Sequence, residues 1–209
     1  MAIRKIARMG NPILYRVAEP IADPCDPEVA RLARDMQDTL ADIGGSGIAA
    51  PQVFESRRLV VCNSRELVNR AGYRPVEGAS GGEGEQWVVM VNPELTMLTE
   101  ETGFGWERCL SIPGMHGKVP RHQKIRCSYQ TLDGETVTHE AEGPLAVVLQ
   151  HECDHLDGVL YPMRMADISK LEFDAEPGHL ARDIAEGNEV WPVLRQLVDA
   201  WPGRETWMD

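Results

Sequence analysis

The stretch QHECDHLDG, residues 150–158, places His151 and His155 four positions apart, with Glu152 directly after the first histidine. On a helix, positions i and i+4 lie one turn apart on the same face, so two imidazole nitrogens can aim at one cation. Glu152 is rotated by about 100° from His151, which sets its carboxylate beside the cation's open position instead of among its ligands. That place suits moving a proton to or from a water. A catalytic centre of this kind takes three protein ligands and leaves room for solvent.

The third ligand has to come from elsewhere in the chain. Tyr161 stands where a metzincin-like pattern would put a third histidine, and it is a poor replacement. Glu172 and Glu176 are the downstream carboxylates a thermolysin-like pattern would use, but neither sits in a convincing helix. Upstream, GWERCLSIPG at residues 105–114 offers Cys109 beside a charged pair and a turn-rich SIPG. A thiolate is a strong ligand for zinc or ferrous iron, and a nearby divalent cation stabilises its ionised form.

These residues need elements to hold them. CDPEVARLARDMQDTLADIGG reads as a helix: Asp26 suits the N-cap and Pro27 the first turn, and Val29, Leu32, Ala33, Met36, Leu40 and Ile43 recur at helical spacing before Gly44 and Gly45 end it. From there to about residue 141, short β-rich runs alternate with Gly, Pro and Asp-Gly signals, and Asp133-Gly134 marks a hairpin. Residues 74–86 are rich in glycine and glutamate and read as an exposed loop between strands. A second helix follows, with Pro144 in its first turn and Gly158 just past its last; Leu145, Val148, Leu149 and both histidines share its buried side. Weaker helical patterns lie around 180–186 and 189–200. The expected architecture is a single α+β domain over residues 1–209, with antiparallel or mixed sheets packed around the helix that carries the histidines.

Bulk properties bound the function. With 33 acidic against 21 basic residues, the formal charge of -12 disfavours general binding to nucleic acid or anionic membranes. The chain shows no apolar run of bilayer length and no signal-peptide core, so a soluble cytoplasmic protein is expected. Five cysteines without CxxC spacing argue for a reducing compartment and free thiols; Cys25, Cys62 and Cys127 read as packing residues. His122, His139 and His179 read as surface residues. The acidic stretch after Ile168 reads as solvated surface.

Taken together, GSGIAAPQ at residues 45–52, ERCLS at 107–111 and QHECDHLDG resemble the peptide deformylase family, and the similarity runs over about residues 3–168. The acidic tail, 169–209, lies beyond it. The resemblance implies removal of the N-formyl group from the initiator methionine of nascent polypeptides, with formate as product. It implies one divalent metal, Fe2+ in the native state with Zn2+, Ni2+ or Co2+ possible, held by Cys109, His151 and His155. Glu152 would be general base and acid, and Gln52 with the backbone N–H of Leu110 would bind the oxyanion. Ser46, Gly47 and Arg108 would lie along the substrate backbone, paired with it like an added strand, and Val147 and Val148 would line an apolar methionine pocket.

The chain departs from the family text in places. Arg108 occupies a position that is usually glycine; without a positive φ there, its cation extends over the cleft rim. His116 replaces a frequent substrate-holding arginine, and Ser46 makes the pocket entrance more polar. Glu107 and Arg121 match positions expected to pair and brace the loop of Cys109. Some family members dock at the ribosome through a basic C-terminal helix, whereas this tail has ten acidic and four basic residues from Asp167 onward. Only transient ribosome proximity is expected. Two other readings stay open on the residues alone: a metallopeptidase, and a silent paralogue that binds formyl-peptides without turnover.

Overall fold

The computed structural model describes residues 2–63 and 87–202. The loop expected at 74–86 lies outside them.

Helix α1 (Pro27–Ile43) begins where the Asp26 carboxylate accepts the backbone N–H of Glu28 at 2.8 Å, and ends at Gly44 with φ 78°. Its periodic apolar residues Val29, Leu32, Ala33, Met36 and Leu40 are buried against β2 (Leu59–Asn63), but Ile43 is 43% exposed. Five antiparallel strands form the larger sheet in the order β1 (Gly47–Ala49), β2, β3 (Trp87–Met97), β6 (Lys124–Gln130) and β7 (Thr136–Glu142). The β6–β7 hairpin turns through Gly134 at φ 80°, as its Asp-Gly signal requires. A smaller antiparallel sheet has the order β4 (Thr102–Cys109), β5 (Ile112–His122), β8 (Leu171–Phe173).

Helix α2 (Gly143–Leu156) packs against β1 and β7 of the larger sheet and β5 of the smaller one. Its start has Pro144 in the first turn, and Gly158, at φ 73°, follows its end. An added Cβ on Gly158 would come within 2.7 Å of the Tyr15 backbone, so this glycine serves both the turn and the close packing. Every residue from Leu145 to Leu156 is buried. The sequence suggested one buried side. Two sheets enclose the helix, so its other faces are covered as well.

The tail also departs from expectation. Beyond β8 it forms α3 (Gly178–Ala185) and α4 (Pro192–Asp199); α4 lies within the weakly helical stretch 189–200, and α3 begins two residues before the stretch 180–186. It is not simply solvated surface: Leu180, Ala181, Leu194, Val198 and Trp201 are buried with Trp106 of β4. Its charged residues are mostly acidic, but its apolar residues form one stripe, and that stripe docks. His139 is buried and meets Tyr129 edge-on, contrary to its surface reading, while Cys25 is exposed and does not pack. Among the described residues, no helix is long and apolar enough to cross a membrane.

Candidate metal centre

Strand alternation sorts the residues of β4. Glu107 and Cys109 reach α2, and Trp106 and Arg108 reach the tail. Cys109 Sγ thereby lies 3.2 Å from His155 Nε2, and one ligand atom each from Cys109, His151 and His155 fall within 4.8 Å of one another. All three side chains are buried or nearly so. Burial by itself would raise the Cys109 pKa, yet the two imidazoles hold it well below the usual thiol value. Among the described residues this is the one group of His, Cys, Asp and Glu arranged to hold a metal ion. None of the three alternative ligands joins it: Glu172 accepts the N–H groups of His179 and Leu180 at the start of α3, Glu176 accepts the Trp201 indole N–H at 3.2 Å, and Tyr161 stacks on the His151 ring.

The donor set is oriented as a metal site requires. His151 Nδ1 lies 2.7 Å from Glu107 Oε2, which leaves Nε2 free for a cation. Glu107 in turn receives two hydrogen bonds from Arg121, at 2.7 and 3.0 Å, and Arg121 reaches Asp154 of α2 at 2.5 Å. Arg164 closes the other side of Asp154 at 2.8 Å. Burial disfavours a charged Glu107, but His151 and Arg121 hold its pKa down at about 2. The expected Glu107–Arg121 pair is thus one link in a buried chain from the candidate ligand His151 back to its own helix.

Glu152 is buried in the same cleft, and its Oε2 has no hydrogen-bond partner. Burial raises its pKa, with His151 and His155 acting against the shift. Gly47 presses on it: an added Cβ would lie 2.5 Å from Glu152 Oε1. The sequence assigned that glycine to close approach of a substrate, and the structure gives it a second partner in the carboxylate.

Gln52 Oε1 accepts the N–H of Ala49 at 2.8 Å, which turns Nε2 towards Cys109 Sγ at 3.5 Å and Ser111 Oγ at 3.3 Å. The amide is therefore a fixed donor beside the cation site. Leu110 lines the cleft with its carbonyl held by Arg8 at 2.6 Å, and the Ser111 N–H points to the Cys109 sulfur at 3.4 Å. Ser46, Val147, Val148 and Arg108 line the same cleft, of about 470 Å³.

Arg108 has no positive φ, so the glycine it replaces leaves no backbone strain. Its guanidinium, at the rim, is tied to Asp174 at 2.5 Å. His116 is not among the residues that line the cleft. It is fully buried against Trp106, with Nδ1 3.0 Å from Asp174 and Nε2 3.3 Å from Glu172.

A polypeptide deformylase family model matches residues 3–171. The chain belongs to the polypeptide deformylase family. It is 40% identical over 173 residues to peptide deformylase 1 of Nitrosomonas europaea, covering 82% of this chain and 92% of that one. Peptide deformylase 1 of Prochlorococcus marinus is 39% identical over 176 residues, covering 84% and 88%. The actinonin-bound class I type b peptide deformylase of Acinetobacter baumannii superposes with a TM-score of 0.66 at 33% identity, over 79% of this chain and all of that one. The Thermotoga maritima enzyme gives 0.67 at 32% identity, over 80% and all. As a peptide deformylase, the protein is a metal-dependent hydrolase that removes the N-formyl group from N-formylmethionine of polypeptides.

Sequence reasoning missed three parts of the site. Asp154 carries no motif signal as the far anchor of Arg121, although it lies on the His151 helix, one turn along. Ile43, exposed at the end of α1, lines the cleft, and so do Trp191, Val193 and Leu194 of the tail.

Proposed function

We propose that Cys109, His151 and His155 hold a single divalent cation, Fe2+ in the native protein, with Zn2+, Ni2+ and Co2+ as substitutes. The observation that carries this reading is the convergence of one sulfur and two imidazole nitrogens within 4.8 Å beside a carboxylate oxygen that has no other partner. Two imidazoles and a thiolate suit any of these ions. When bound, the cation supplies Lewis acidity to a water and to the formyl carbonyl.

The chain's own groups do the rest. Glu152 takes a proton from the attacking water and returns it to the departing amine, so that formate and a free methionyl N-terminus leave. Gln52 Nε2 and the Leu110 N–H donate to the oxygen on which negative charge develops. The backbone at Ser46, Gly47 and Arg108 pairs with the formyl-peptide as an added strand, which reads main chain and tolerates varied downstream residues. Val147 and Val148 receive the methionine side chain. A Met-Ala-Ser-bound structure of the Acinetobacter baumannii enzyme, 34% identical over 78% of this chain and all of that one, supports a substrate of this form.

The substrate is a nascent polypeptide in the cytoplasm. The acidic tail disfavours a docked complex with ribosomal RNA, so the encounter is transient. Anaerobic protein reconstituted with each metal and assayed for formate from formyl-Met-Ala-Ser tests the reading. Release with ferrous protein is expected. Cleavage of unformylated peptides instead, or binding without turnover, would replace it with the peptidase or the silent paralogue.

A further inference from the structure

The family match ends at residue 171, yet the cleft does not: Trp191, Val193 and Leu194 line it together with Val147, Val148 and Trp106. The tail is firmly attached there. β8 pairs with β5, and the Glu172 carboxylate receives the first N–H groups of α3. The Trp106 indole N–H donates to Asp183 of α3 at 2.8 Å, and Lys118 of β5 pairs with the same carboxylate at 2.5 Å. Leu194 and Val198 of α4 complete a buried cluster around Trp106. Trp191, half-buried just ahead of α4, packs both on that cluster and on the core cluster that includes Leu145, Val148 and Leu149 of α2.

We propose that this tail is a specificity wall: Trp191, Val193 and Leu194 close the apolar part of the cleft and limit the size of the N-terminal side chain accepted next to the formyl group. The proposal rests on the deformylase reading above. Its physical basis is location and chemistry. The tail adds three apolar side chains, one of them an indole, to the same cavity as Val147 and Val148, the residues read as the methionine pocket. A docked wall of this kind acts on side-chain size and leaves the proton transfer at Glu152 alone.

The test uses the ferrous full-length enzyme and kcat/KM for formyl-Met-Ala-Ser, formyl-Ala-Ala-Ser and formyl-Phe-Ala-Ser. Trp191→Ala should shift the Phe-to-Met ratio upward by about tenfold, the scale on which hydrophobic pockets sense small changes in size. Trp191→Phe should restore most of the original ratio. Val193→Trp, which adds bulk at a half-buried position lining the cleft, should depress formyl-Met more than formyl-Ala. Equal changes for all three substrates in every folded variant would overturn the wall and leave the tail as mere support. A wild-type ferrous protein without formate release overturns the deformylase reading, and this proposal with it.

Discussion

Glu107 Oε2 stands 2.7 Å from Nδ1 of His151 while both oxygens of the same carboxylate receive Arg121. One strand of the smaller sheet thereby sets the ring orientation of a proposed ligand on the central helix. Because Cys109 lies two residues along that strand, a single element controls the thiolate and the imidazole together.

Removing the charge at this link should loosen the cation without abolishing the fold. Glu107→Gln is expected to lower metal affinity by about 10- to 100-fold, the usual effect of losing the partner of a ligating histidine. Competition with a chromogenic chelator reads it; unchanged affinity would show that the ring is held by packing alone.

Arg121 is a different case, since its loss takes a cation from two buried carboxylates at once and leaves Glu107 with His151 alone and Asp154 with the half-exposed Arg164. Arg121→Ala should destabilise the protein by about 3–5 kcal/mol, as expected when one partner of a buried pair is deleted. Arg121→Lys should recover little of this, because a point cation cannot bridge both carboxylates as the guanidinium fork does. Denaturant melts of the metal-loaded proteins measure both.

Gly47→Ala tests the packing of Glu152. An added methyl carbon 2.5 Å from Oε1 must displace the carboxylate. The side chain can move, so stability should change little while kcat falls on the order of 10²-fold, the scale of a misplaced catalytic group. Steady-state kinetics beside a thermal melt separate the two; a variant with full kcat would show that Glu152 has freedom to spare.

At the rim, the Arg108 side chain is 41% exposed and its charge is matched by Asp174. An exposed pair of this kind contributes about 0–1 kcal/mol. Arg108→Gly should therefore leave stability nearly unchanged and reduce any preference for acidic over neutral formyl-peptides by no more than about fivefold. Paired kcat/KM measurements at two ionic strengths check it, and a larger change would mean that the guanidinium leaves Asp174 to meet substrate.

Much of this site was legible because its signals are local. The four-residue spacing of His151 and His155 specifies a shared helical face from backbone geometry alone, and Pro144 and Gly158 mark the ends of that helix. The alternation of β4, which separates Glu107 and Cys109 from Trp106 and Arg108, is by contrast seen only in the fold. Cys109 entered the proposed ligand set by its chemistry, as a soft donor in a turn-rich segment, and the contact between its sulfur and His155 follows from how a strand of one sheet lies on the helix.

What the sequence did not reveal depends on partners far along the chain. His116 stands where the family frequently has a substrate-holding arginine, and nothing local shows its surroundings: the pairing of β8 with β5 closes over it and leaves it between Glu172 and Asp174. His139 and Cys25 exchange their expected environments for the same reason: burial is a property of what lies on top of a residue, which neither composition nor periodicity encodes. The tail is the clearest instance. Its apolar spacing announces helices, while the partner of the apolar stripe, Trp106, lies more than seventy positions earlier and becomes a neighbour only when the smaller sheet forms. Ligand types, their spacing on one helix and the net charge were thus written in the chain; the convergence of sulfur with imidazoles, the Glu107–Arg121–Asp154 brace and the tail's place in the cleft arose from packing, because only a folded chain brings distant side chains within reach of one another.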